Sequence, residues 1–128
     1  MRQAIMVEGA ARPGGGYSHA VVANGFIYVA GQGPAHPQTR VVPDSFAAQV
    51  RQTLENLQFV LRGTGASLAD VVKVNTYLND ITHFAEYDAI YREFFPSEPP
   101  ARTTIGCQLK GIQVEIDCVA VVPAAPAK

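Results

Sequence analysis

The stretch Asp44–Leu78, DSFAAQVRQTLENLQFVLRGTGASLADVVKVNTYL, reads as one helix followed by one strand, and that succession decides the fold. Phe46, Val50, Leu54, Leu57 and Leu61 recur at the 3.6-residue period of an apolar helix stripe. Gln49, Arg51, Gln52, Glu55, Asn56 and Arg62 lie largely off that stripe. Asp44 or Ser45 supplies the N-cap, because a short oxygen-bearing side chain there accepts an otherwise free N–H of the first turn. Gly63 and Gly65 end the helix. Ser67 and Asp70 have capping-box spacing, so a short turn leads into Val71–Leu78. There the period falls to two. Val72, Val74, Thr76 and Leu78 share one face, and Val71, Lys73, Asn75 and Tyr77 the other.

Upstream, residues 3–7 are a strand candidate, and Pro13-Gly14-Gly15-Gly16 is a loop, since three consecutive glycines are costly to order. His19 to Val22 and Phe26 to Ala30 are strands around Asn24-Gly25, the strongest short hairpin signal. Downstream, a second helix begins near Thr82 with Phe84, Tyr87, Tyr91 and Phe94 as its stripe and Ile90 beside it. Pro96, Pro99 and Pro100 forbid its continuation. Arg102 to Leu109 and Ile112 to Val122 are the last two strands, and Lys110-Gly111 between them reads as a hairpin turn. Residues 123–128 form a proline-rich tail expected to fray.

The order β-β-β-α-β-α-β-β predicts an α+β sheet with both helices packed on one face. The other face, carrying Val, Ile and Tyr, then calls for a partner, and for one chain type a symmetric copy is the simplest. At 128 residues the chain is a single domain, 1–128, with 1–15 as an N-terminal strand and glycine-rich loop. A domain of this size buries about two thirds of its unfolded surface. A deep site therefore lies between the layers or at a subunit boundary.

Composition narrows the function classes. The chain is 48% apolar and 16% charged, which argues against disorder. Ten Lys plus Arg face eleven Asp plus Glu with no dense basic stretch, so nucleic acid is not an expected partner. No apolar run approaches the 18 residues of a membrane span, and no signal-peptide pattern follows Met1, so the expectation is a cytoplasmic protein without a membrane partner. Cys107 and Cys118 belong to no metal-ligand spacing, and no structural metal is expected.

Candidate chemistry rests on few residues. Arg102 enters a strand of neutral residues; it is either an edge arginine with a packed stem or a guanidinium held to clamp a carboxylate. Glu115 lies mid-strand, on a solvated face or in a site, and Asp117 is equally eligible. If Lys110-Gly111 closes a hairpin, Arg102 and Glu115 share a face about 13 Å apart, with Cys107 and Cys118 on the other. Tyr17, after the glycines, anchors the loop or offers a hydroxyl. Gly31 stands at a strand end, where backbone can meet a ligand. His19, His36 and His83 are scattered, and no nucleophile–base pairing follows from their positions.

Taken together, Tyr-Val-Ala-Gly-Gln at 28–32, Thr53-Leu54-Glu55-Asn56-Leu57, Val71–Leu78, Tyr91–Phe95, Pro100-Ala101-Arg102-Thr103 and Val114-Glu115-Ile116-Asp117 resemble the RidA/YjgF/YER057c/UK114 family over about residues 16–122. The resemblance implies a chorismate-mutase-like (YjgF-like) subunit assembled as a homotrimer with sites between subunits. It implies hydrolytic deamination of reactive enamines and imines, such as 2-aminoacrylate, to 2-keto acids and ammonia without metal or organic cofactor. By position it implies Arg102 as the carboxylate-binding arginine, Glu115 as the acid that holds the attacking water, and Tyr17 and Gly31 at the border of the site. His19 and Cys107 are possible cleft-lining residues, and Cys107 carries no assigned role.

There are departures from the family pattern. His19 stands where glutamine is frequent, Asp88 where the family has asparagine in the second helix, and Arg40 where the loop usually has glycine. The turn Leu109–Gly111 is short. A carboxylate at position 88, expected among the substrate-binding residues, either repels an acidic substrate or pairs with a differently polar one. The alternatives are a deaminase of a bulkier unsaturated amino acid such as 2-aminomuconate, or a non-catalytic trimer that binds small carboxylates.

Overall fold

The computed structural model describes residues 1–124. Its elements in chain order are β1 (Arg2–Ile5), β2 (Ala20–Ala23), β3 (Phe26–Gln32), α1 (Phe46–Gly63), β4 (Val71–Leu78), α2 (Phe84–Phe94), β5 (Ala101–Gly106) and β6 (Val114–Val121). The six strands form one sheet in the order β1-β2-β3-β6-β4-β5. Every neighbouring pair is antiparallel except β4–β5, which is parallel and joined through α2. Both helices pack on one face, as the element order predicts.

Local chemistry explains most element ends. Ser45 caps α1, its hydroxyl accepting the Ala48 N–H at 3.1 Å. Asn24 and Gly25 take φ of 51° and 82°, the two left-handed positions that a tight hairpin between Ala23 and Phe26 requires. The Ser67–Asp70 capping box forms and closes a single helical turn ahead of β4. Phe46, Val50, Leu54, Leu57 and Leu61 are all buried, facing Ile27, Val29, Ile116 and Ala120 of the sheet. On α2 the buried residues are Tyr87, Ile90 and Tyr91, whereas Phe84 is 39% exposed. The stripe is thus centred closer to Ile90 than its aromatic spacing suggests.

Two expectations are corrected. Lys110-Gly111 does not fold β5 back onto β6, because β4 lies between them and pairs with both. The connection 107–113 crosses the end of β4 and is held there. The Cys107 N–H donates to the Leu78 carbonyl, the Leu109 N–H to Asn79 Oδ1, and the Asn79 N–H to the Gln113 carbonyl. A turn signal locates a reversal, not the strand that fills the gap. The second correction concerns β4, where a bulge sets Val71 opposite Ala120 and Lys73 opposite Val119. The extra residue inverts the alternation, so that Val71 is buried and Val72 exposed. The tail expectation, beyond Ala124, lies outside the described residues.

Candidate functional site

Arg102 sits opposite Val74 on the parallel neighbour β4, and Val74 is buried on the helix side. Its guanidinium therefore lies under α2. The Cζ atom is 4.5 Å from the ring centre of Tyr91, 5.3 Å from Tyr87 and 5.4 Å from Phe84. Three aromatic faces around one cation give a favourable and rigid seat. The guanidinium also pairs with Asp88 of α2, Nη1 to Oδ1 at 2.9 Å. The second Asp88 oxygen accepts from Arg92 Nε at 2.9 Å, one helical turn on. Burial tends to raise the Asp88 carboxyl pKa, but the hydrogen bonds from Arg92 and Arg102 outweigh it and hold it below the usual carboxylate range. Burial likewise works against the Arg102 charge, but the Asp88 hydrogen bond, together with the nearby Tyr87, Asp88 and Tyr91, outweighs it and raises the Arg102 pKa. Arg102, Asp88, Arg92, Tyr91 and Phe95 line a cavity of about 450 Å³, rimmed by prolines.

Glu115 is on the other side of the sheet. It pairs across β6–β4 with Tyr77, whose neighbours Thr76 and Leu78 point into the core while Tyr77 points out. The shared-face expectation for Arg102 and Glu115 fails with the hairpin that supported it. Strand spacing and rise place their Cα atoms about 14 Å apart, on opposite faces. Asp117 shares the outer face with Glu115 and accepts from Asn75 Nδ2 and from the Tyr77 hydroxyl, both at 2.9 Å. Burial raises the Glu115 pKa above its ordinary value, and the Asp117 charge adds to that.

Gly31 belongs to this second group. A bulge in β3 sets Ala30 and Gly31 between the pairs Val29–Cys118 and Gln32–Ile116. A Cβ on Gly31 would come within 2.6 Å of the Glu115 carboxylate, so only glycine lets that side chain lie over the bulge. Gly31, Tyr17 and His19 line a small cavity of about 150 Å³. Tyr17 is half-exposed, and its hydroxyl accepts the Gly14 N–H at 2.9 Å, anchoring the glycine run. His19 is a buried clamp: Nδ1 accepts the Val7 N–H and Nε2–H donates to the Ala11 carbonyl, both at 2.8 Å. Both ring nitrogens are engaged with backbone, so the imidazole is a structural group.

Cys107 lies just past β5 and is half-buried, not on the helix-covered face with Cys118. Cys118 is buried, and burial, with Asp117 as a smaller cause, pushes its thiol up to about 12, which makes it inert. Sequence reasoning missed the aromatic seat of Arg102, because Phe84, Tyr87 and Tyr91 at helical spacing read simply as core. The available signal was Asp88 and Arg92 at i, i+4, which places a carboxylate and a cation on one helix edge.

The fold and these two groups of residues define a small α+β subunit with one candidate group on each sheet face. Residues 8–122 match the family described as Endoribonuclease L-PSP. The chain belongs to this family, the RidA/YjgF family of the resemblance. A RutC family protein of Pyrococcus horikoshii is 38% identical over 123 residues, covering 94% of this chain and 98% of that protein. The crystal structure of YEO7_yeast superposes with a TM-score of 0.91 at 33% identity, covering 94% of this chain and 98% of that one. RidA from the Antarctic bacterium Psychrobacter sp. PAMC 21119 superposes with a TM-score of 0.89 at 32% identity, covering 94% and 99%.

Proposed function

We propose that this protein hydrolyses reactive enamines and imines of the 2-aminoacrylate type to 2-keto acids and ammonia, in sites built between the subunits of a homotrimer. Enamine and imine deaminase chemistry is the family's, and the chain's own residues suit it. The observation that carries the reading is the Arg102 guanidinium, seated rigidly on three rings at the wall of a cavity large enough for a small acid. Such a group binds a carboxylate in a fixed orientation.

The reaction begins when the enamine tautomerises to the imine, whose carbon is electrophilic. Arg102 holds the carboxylate and so fixes that carbon against a water. Glu115, its pKa raised by burial, acts as the base and takes a proton from the water as its oxygen bonds to the carbon. Glu115 passes that proton on to the nitrogen of the carbinolamine that results. Its C–N bond then breaks as the hydroxyl proton returns to Glu115, releasing ammonia and leaving the keto acid. Imines hydrolyse readily in water, so positioning and one base suffice. Arg102 and Glu115 lie on opposite faces of one sheet, so a site with both draws Arg102 from one copy and Glu115 from another. The exposed Phe26, Tyr28 and Ile105 support a face that a second copy covers.

The test is keto-acid release from 2-aminoacrylate generated in situ. Wild type is expected to accelerate it, and Arg102→Ala and Glu115→Gln to return it to the uncatalysed rate. Retained binding of a small carboxylic acid with no acceleration by wild type would instead establish the non-catalytic trimer.

A further inference from the structure

Asp88 is the carboxylate of the Arg102 cavity, and it occupies the arginine that the proposed substrate needs. Its two oxygens are held from both sides, by Arg102 Nη1 and Arg92 Nε at 2.9 Å each. The two arginines differ in what they can offer. The Arg102 side chain is 19% exposed and locked on its aromatic seat, whereas the Arg92 side chain is 78% exposed and largely in solvent. Arg92 is screened by water, so it neutralises Asp88 only weakly toward the cavity. An arriving carboxylate meets a guanidinium already paired with a fixed anion.

A guanidinium has five N–H donors and more than one edge, so one substrate carboxylate binds beside Asp88. A second negative charge in the same 450 Å³ space finds, among the described lining residues, only the solvent-screened Arg92 as a further cation and faces Asp88 directly. A hydrogen-bond donor or a positive charge on the same substrate would find Asp88 as its acceptor. We propose that Asp88 is the specificity-determining residue of this cavity, admitting 2-imino acids with an uncharged or cationic side chain and rejecting those with a second carboxylate. This rests on the deaminase reading for the word substrate, and on the Arg102–Asp88–Arg92 geometry for the charge selection. It opposes the dicarboxylate alternative, 2-aminomuconate.

Binding tests it without turnover, with the product-like acids 2-oxobutanoate, a monoanion, and 2-oxoglutarate, a dianion, titrated calorimetrically into the intact protein. Like charges confined this closely change affinity by about tenfold or more. Wild type is expected to prefer 2-oxobutanoate by about tenfold, and Asp88→Asn, which keeps shape, to reduce that preference to within about threefold. Arg92→Gln breaks the helix-surface bridge but keeps the Asp88 carboxylate, so the preference is expected to persist or grow. A merely structural role for the bridge would make Arg92→Gln resemble Asp88→Asn.

An unchanged ratio in Asp88→Asn overturns the proposal, as does failure of both acids to bind wild type. A parallel assay compares imines made in situ from alanine and from glutamate by an amino-acid oxidase. Charge-selective binding without imine hydrolysis removes the deaminase reading and leaves the filter standing. Hydrolysis with no change of selectivity in Asp88→Asn removes the filter alone.

Discussion

The ionisable residues of the two half-sites are tuned in opposite directions. Asp88 gains hydrogen bonds to its charged form, and Glu115 loses water without gaining a cation. The signs differ accordingly. With its pKa lowered on folding, Asp88 adds stability above the unfolded carboxyl pKa, and that contribution is lost as pH falls through the folded value. Glu115, with its pKa raised, does the reverse: its ionisation costs stability as pH rises from the ordinary carboxylate value through the raised one. That cost is what a base poised for proton transfer requires. In the proposed site the acid limb of the kcat/KM profile is therefore expected above the ordinary carboxylate range. Asp117→Asn removes the lesser cause of the Glu115 shift and is expected to move that limb to lower pH, while burial keeps part of the elevation. A pH–rate series on both proteins checks this, and an acid limb that does not move would detach Asp117 from Glu115. At the same scale, Arg40 takes a φ of 63°, the left-handed backbone region that favours glycine.

At the scale of elements, the readable parts were those set by local rules. The α1 stripe, the Ser45 cap, the Ser67–Asp70 box and the Asn24-Gly25 hairpin all rest on neighbours within a few residues, and all stand in the fold. The errors lie where pairing is long-range. A bulge at Val72 inverts two residues, and a strand 30 positions upstream takes the place between β5 and β6 that the turn signal reserved for direct pairing. Neither leaves a local trace, because periodicity gives a strand's faces but not its neighbours. The candidate residues were legible as types, and Gly31 and Glu115 were named as site residues through the resemblance, but their direct contact follows from the β3 bulge. The opposite facing of Arg102 and Glu115 was not, since it follows from the strand order. The same distinction predicts energetics. Leu57, fully buried between α1 and the sheet, is expected to cost about 2–5 kcal/mol on truncation to Ala, whereas Ser45→Ala loses one cap bond and about 1 kcal/mol. Denaturant unfolding at fixed protein concentration measures both, and equal losses would mean that α1 is not a core element.

For the whole molecule, the sheet acts as a wall between two half-sites. One subunit presents a cation and an anion under α2, and on its far face a carboxylate over a glycine bulge. A reaction that needs Arg102 and Glu115 together must therefore recruit two copies, and in a closed ring each subunit gives one half to each neighbour. Under the proposed function, assembly is then a condition of activity rather than an accessory to it. It also makes the two key substitutions complementary. Arg102→Ala and Glu115→Gln are each expected to be inactive alone. Unfolded together in equal amounts and refolded, they form mixed rings in which about one quarter of the sites combine an intact Arg102 with an intact Glu115. Activity should return to about that fraction of wild type and should elute at three times the 13.7 kDa chain mass. Recovery at that size establishes sites shared between subunits. No recovery from well-folded mixed rings would mean that Arg102 and Glu115 never meet, and that the base for water lies on the same face as the arginine.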